Sequence, residues 1–167
     1  YGRFYGLVNN AALGTDGILN TMHESDIARL IKVNIESPII LTKYISRGML
    51  LNKEGKIINI SSIIGSTGFS GLSVYGATKS SLIGFTKSLS RELGKMNINV
   101  NSISPGYMKT NMTLNIDHES LEKIIRRSPQ KKLATTADVA KMVSFLISEN
   151  GNSISGQNIV IDAGSTA

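Results

Sequence analysis

Ser62, Tyr75 and Lys79 are the residues whose types and spacing best suit chemistry. Tyr75 and Lys79 stand four positions apart, which on a helix puts them on one face, one turn from each other. An ammonium that close favours the phenolate and lowers the tyrosine pKa from about 10. A tyrosine so tuned passes a proton near neutral pH. Ser62 comes thirteen positions before Tyr75, just beyond an apolar run at 56–60. That is the carboxyl end of a strand, where open α/β sheets form their ligand crevice. Its hydroxyl is suited to hold a substrate oxygen beside the tyrosine. Other nucleophile chemistries are poorly supplied. There is no cysteine, which excludes thiol catalysis and disulfides and makes a cytoplasmic home the default. The two histidines, His23 and His118, lack metal-ligand spacing and read as surface residues; neither is near a nucleophile turn that would complete a Ser-His-Asp triad.

The elements that must position these residues follow from periodicity. A strand over 5–9 turns at Asn9-Asn10-Ala11-Ala12. A helix runs from 24 to about 51, with Ile27, Leu30, Ile31, Ile35, Ile39, Leu41 and Ile45 at helical spacing. Pro38 lies inside it and has no N–H for the carbonyl four residues back, so a kink and a freed acceptor are expected at Asn34. The strand at 56–60 lacks alternation, as a parallel strand covered on both faces should. A Gly/Ser-rich loop, 65–71, leads into the Tyr75 helix, which ends near Gly94. A third strand, 98–103, enters Ser104-Pro105-Gly106-Tyr107-Met108-Lys109-Thr110. The region 111–128 reads as a lid with a helix over 118–127 capped by Asp117. A helix capped by Thr136 covers 137–148, and a last strand lies in 156–164.

Ser62 with Tyr75-x-x-x-Lys79 resembles the short-chain dehydrogenase/reductase family, in its 3-oxoacyl-(acyl carrier protein) reductase-like branch. Asn9-Asn10-Ala11-Ala12 resembles that family's Asn-Asn-Ala-Gly turn, with Ala12 in place of glycine. Val33-Asn34, Pro105-Gly106 and the closing strand are similar to further family segments. The resemblance implies an α/β Rossmann-type doubly wound parallel sheet and hydride exchange between NAD(P)H and a ketone or secondary alcohol. In it Tyr75 exchanges the proton and Ser62 hydrogen-bonds the substrate oxygen. Lys79 lowers the tyrosine pKa and binds the cofactor ribose, and Asn34 holds, on its main-chain carbonyl, a water linked to Lys79. It also implies cofactor contacts at Asn10, Ala11, Ala12, Tyr75, Lys79, Pro105, Gly106, Met108 and Thr110. NADP(H) is expected ahead of NAD(H), with a 3-oxoacyl thioester of fatty acid biosynthesis as the leading substrate and a sugar, steroid or small ketone left open. Acyl carrier protein is an implied partner. A homo-oligomer, dimer or tetramer, pairing the Asn34 and Tyr75 helices with their copies, is also implied.

No G-x-G-x-x-G opens this sequence, and its first strand resembles the family's fourth. The expectation is a single dinucleotide-binding domain over 1–167, the carboxyl-terminal portion of the family domain, inactive alone. Length agrees with one domain. Composition is 41% hydrophobic and 18% charged, ordinary for a soluble chain, and no apolar run approaches a membrane span. The net charge of +6 fits an unremarkable basic surface or attraction to an acidic partner such as a phosphorylated cofactor, coenzyme A or a carrier protein. Arg126, Arg127, Lys131 and Lys132 are its densest cluster, a solvated face or a docking patch. Nucleic acid is disfavoured, with aromatics at 5% and no stacking or zinc motif. The other class left open is a catalytically silent interaction protein derived from a truncated reductase.

Overall fold

The computed structural model describes residues 3–110 and 118–167. Asp117, expected to cap the lid helix, and the side chain of His118 lie outside the described residues. Four strands form one parallel sheet in chain order: β1 (Gly6–Asn9), β2 (Gly55–Ile60), β3 (Ile98–Pro105) and β4 (Asn158–Ile161). Between them run α1 (Glu24–Ile31), α2 (Ser37–Asn52), the short α3 (Ile64–Thr67), α4 (Ser73–Leu93), α5 (His118–Arg127) and α6 (Thr136–Ile147). This is an α/β Rossmann-type architecture. Among the described residues no helix is long and apolar enough to cross a membrane.

The unalternating run Ile57-Ile58 shows why the sheet needs two helical layers. Successive strand residues point to opposite faces. Ile57 joins Met49 of α2, Leu93 of α4, Ile98 and Val100 in one cluster. Ile58 joins Ile103 and Leu146 of α6 on the other face. A buried polar seam fastens the first layer: Asn9 Nδ2 donates to Thr42 Oγ1 (2.9 Å) and to Asn59 Oδ1 (2.8 Å), and Asn59 Nδ2 donates to Thr86 Oγ1 (2.8 Å). Asn9 and Asn59 are register partners in the sheet, so the seam ties β1 and β2 to α2 and α4.

Two expected elements differ in detail. The helix expected from 24 to about 51 is interrupted by a π-helical turn, Lys32–Glu36, which divides α1 from α2. Pro38 falls in the first turn of α2, directly after the widened turn in which the Ser37 amide donates to the Lys32 carbonyl, and it has no N–H to continue that ladder. The interruption is a widened turn, with Ser37 Oγ also donating to the Lys32 carbonyl (2.8 Å). The cap of α6 is Thr135, not Thr136. Thr135 Oγ1 accepts from the Asp138 amide, and Asp138 returns a bond to the Thr135 amide. Asp138 three residues on is what fixes that choice.

Candidate functional site

The site is built at the carboxyl ends of β1, β2 and β3. Ser62 follows β2, Tyr75 and Lys79 sit in the first two turns of α4, and 105–110 follow β3. α3 packs against α4 closely enough that a Cβ on Gly65 would lie 2.8 Å from the Ser80 amide nitrogen. Glycine there lets the Ser62 turn and the Tyr75 helix approach each other.

A cleft of about 1170 Å³ runs through this end of the sheet. Asn10, Ala11, Ala12, Ser62, Tyr75, Lys79, Pro105, Gly106, Met108 and Thr110 all line it, so residues far apart in sequence converge on one space. Ala12 avoids positive φ, so its methyl is compatible with the turn. Asn34 is the exception. It is buried behind the cleft, 1% exposed, with its side-chain amide clamped on the backbone of Leu13. Oδ1 accepts from the Leu13 amide (2.8 Å) and Nδ2 donates to the Leu13 carbonyl (2.9 Å). Nδ2 also donates to Thr78 Oγ1 (3.1 Å), which donates to the Tyr75 carbonyl (2.7 Å). Asn34 thus couples the loop after β1 to the helix carrying Tyr75.

The electrostatics depart from the expectation in one respect. The Tyr75 pKa is raised, chiefly by burial; a hydrogen bond with Ser62 pulls it down, and Tyr107 adds to the rise. The expectation that Lys79 lowers it is not met. Lys79 Nζ lies 5.8 Å from the Tyr75 ring centre and is itself deeply buried, its pKa pushed down to about 8 by desolvation. Its one hydrogen bond among the described residues goes to the Ile60 carbonyl (2.9 Å). An ammonium has three N–H donors, so two remain for a ligand. Ser61 Oγ braces this turn by donating to the Lys79 carbonyl (2.7 Å).

These features fit a nicotinamide dinucleotide. Lys79 keeps spare donors in the cleft, and Tyr75 and Ser62 present hydroxyls beside it. A Cβ on Gly106 would meet Asp162 Cβ at 2.6 Å, so the backbone after β3 lies flush against β4 at the cleft.

Sequence reasoning missed several participants. Thr78 and Leu13 serve through Asn34, and their part depends on tertiary contact. Tyr107 and Phe69 also line the cleft. Tyr107 directly follows Pro105-Gly106, a position that could have signalled it. Outside the cleft, His23 is exposed. So is the basic cluster, within which Arg126 pairs with Glu122 (3.0 Å) and Lys131 donates to the Arg126 carbonyl (2.7 Å).

Comparison with known proteins agrees with this construction. The family model described as "Enoyl-(Acyl carrier protein) reductase" matches residues 1–166. With its parallel sheet and flanking helices, the chain belongs to the short-chain dehydrogenase/reductase family. Within that family it is 3-oxoacyl-(acyl carrier protein) reductase-like. It is 40% identical to 3-oxoacyl-[acyl-carrier-protein] reductase FabG of Buchnera aphidicola subsp. Baizongia pistaciae, over 98% of this chain and 67% of the relative. It is 39% identical to carbonyl reductase family member 4 of Xenopus laevis, over 95% of this chain and 65% of the relative. Nodulation protein G of Rhizobium sp. (strain N33) is 35% identical, over 95% of this chain and 64% of the relative. The chain spans about two thirds of the length of the curated relatives it matches.

Proposed function

We propose that this chain carries the catalytic part of an NAD(P)H-dependent reductase of ketones, with 3-oxoacyl thioesters as the substrate class. The observation that carries the reading is Tyr75: a half-buried phenol lining the cleft, hydrogen-bonded to Ser62, one helical turn from a buried ammonium with spare donors. The names of the relatives, 3-oxoacyl-[acyl-carrier-protein] reductase and carbonyl reductase, support the same reaction class.

A bound nicotinamide supplies the hydride; this chain's residues handle the oxygen and the proton. Ser62 and Tyr75 donate hydrogen bonds to the carbonyl oxygen, strengthening as negative charge develops there. The raised Tyr75 pKa keeps the proton on the phenol at neutral pH, the state a donor needs. As the alkoxide takes that proton, the hydrogen bond with Ser62 stabilises the tyrosinate left behind. Asn10, Ala11, Ala12, Pro105, Gly106, Met108 and Thr110 hold the cofactor, and Lys79 binds its ribose hydroxyls. Asn34 orients the loop at Leu13, and its carbonyl, for which Pro38 has no N–H, holds a water that relays protons to Lys79. NADP(H) is preferred over NAD(H), and acyl carrier protein delivers the thioester. A homo-oligomer forms through α2 and α4; α2 leaves Ile40, Leu41 and Tyr44 exposed, suited to a second copy.

The same proposal makes β1 an interior strand of a larger sheet. Phe4, Tyr5 and Val8 are 53%, 39% and 36% exposed. Asn9 Oδ1 is buried without a partner among the described residues, an arrangement that costs roughly 1–3 kcal/mol unless a donor reaches it. A strand added at this edge supplies that donor and covers the apolar side chains.

Fluorescence titration with NADPH and NADH of the full-length protein that carries this chain within the larger sheet, followed by turnover of a 3-oxoacyl thioester, tests the reading. Saturable binding, tighter for NADPH, and loss of NADPH absorbance with the thioester are expected. Binding of neither nucleotide overturns it.

A further inference from the structure

We propose that Phe69 and Tyr107 form an aromatic clamp that makes this site selective for ketones carrying an extended apolar substituent. The inference rests on the carbonyl-reduction reading for where the reacting oxygen sits, and on the geometry of the cleft for everything else. The two rings come from different loops, Phe69 from the one joining α3 to α4 and Tyr107 from the one leaving β3. They meet edge to face, centres 6.5 Å apart and planes at 70°, a preferred aromatic geometry. Both line the cleft that holds Ser62 and Tyr75. Tyr107 is close enough to Tyr75 to act on it electrostatically.

Phe69 is 57% exposed. A phenyl ring left largely in water at the mouth of a cleft, beside a half-buried partner, gains by covering itself with apolar ligand. Ile64, Leu72 and Ile124 of α5 add apolar side chains to the lining of the same cleft. Charge sharpens the choice. Among the described residues lining the cleft, Asp16 is the one carboxylate and Lys79 the one ammonium. Asp16 lies near Tyr107, so an anionic substituent at that end is repelled while a neutral hydrocarbon is not. The Gly17 amide donates to the Gly71 carbonyl (2.9 Å), which fixes the Asp16 loop to the Phe69 loop and makes one wall of them.

The test compares N-acetylcysteamine thioesters of 3-oxobutanoate and 3-oxodecanoate. Calorimetric affinity and kcat/KM are read for the protein, for Phe69→Ser and for Tyr107→Phe, which keeps the ring. Phe69 is exposed enough that Phe69→Ser keeps the fold. The long-to-short affinity ratio is expected at about tenfold or more in the protein, from apolar contact. It should fall several-fold in Phe69→Ser and hold in Tyr107→Phe. Equal affinities for the two thioesters, no binding of either, or a ratio unchanged in Phe69→Ser each overturn the clamp. Failure of the reductase reading is separate: chain-length discrimination in binding without any turnover keeps the clamp and refutes the reaction. Turnover with no discrimination keeps the reaction and refutes the clamp.

Discussion

Two lysines, Lys56 at one end of the sheet and Lys79 at the other, are equally buried at 3% exposure, and burial pushes both pKa values down. Their partners differ. Lys56 Nζ donates to two side-chain carbonyls, Asn99 Oδ1 (2.7 Å) and Asn152 Oδ1 (2.6 Å), beside a cavity of about 330 Å³ lined by Tyr5, Glu54 and Glu149. Asn99 in turn donates to the Asn152 and Ile154 carbonyls (2.9 and 3.2 Å). That amine fastens β2 and β3 to the loop before β4. Lys79 has a single backbone acceptor and lies one helical turn from a tyrosine that lines the same cleft. Burial alone therefore does not tell the two amines apart; spare donors facing a cleft do.

The contrast is broken most sharply by exchanging each lysine for methionine. Lys79→Met should lower ketone reduction by about 10²–10⁴-fold while the protein stays folded, since a poorly paired buried cation is removed. Lys56→Met should do the reverse. It removes the tie from β2 to the half-buried Asn99 and the exposed Asn152, so the unfolding midpoint in urea drops while kcat per folded molecule holds. If Lys56→Met loses activity at full stability, the division of labour is wrong.

Titration sharpens the same comparison. Lys79 is charged below its pKa of about 8 and neutral above it. Reduction should be level through neutral pH and decline as pH rises through about 8, a limb absent from the residual activity of Lys79→Met. For stability the sign is opposite. Between about 8 and 10.5 the unfolded chain binds the proton that the folded chain has lost, so Lys79 contributes stability that rises with pH in that window. Urea midpoints of the protein and Lys79→Met at pH 7 and pH 9.5 read this directly.

Smaller effects are expected further from the chemistry. Asn34→Ala releases the Leu13 backbone and Thr78. It should weaken nucleotide binding and cost a few kcal/mol of stability, since the Leu13 N–H and C=O lose their partners. Thr135→Ala removes only the cap of α6, worth about 1 kcal/mol, and should leave reduction unchanged.

Much of the scaffold was legible because its signals are local. Ile57-Ile58 announced a strand covered on both faces, and the apolar spacing of Leu82, Leu89 and Leu93 announced α4. Pro38 marked a break near Asn34, but not its form. A widened turn depends on Ser37 reaching the Lys32 carbonyl, which no periodicity displays. The expected set of Ser62, Tyr75 and Lys79 shares one cleft because a parallel sheet gathers the carboxyl ends of its strands. The tyrosine pKa was misjudged because spacing reports proximity and not burial. Desolvation of Tyr75 outweighs its hydrogen bond with Ser62, and the neighbouring ammonium is itself desolvated. Phe69 stayed hidden because its partner, Tyr107, lies on another loop and only the folded chain brings the rings together.

The most direct test of the central claim, that Tyr75 gives its proton to the substrate oxygen, is turnover of a 3-oxoacyl thioester by Tyr75→Phe with nucleotide binding measured alongside. The account predicts a loss of about 10²–10⁴-fold in kcat, with the nucleotide still bound and the unfolding midpoint retained. A Tyr75→Phe protein that turns over near the unsubstituted rate would contradict it.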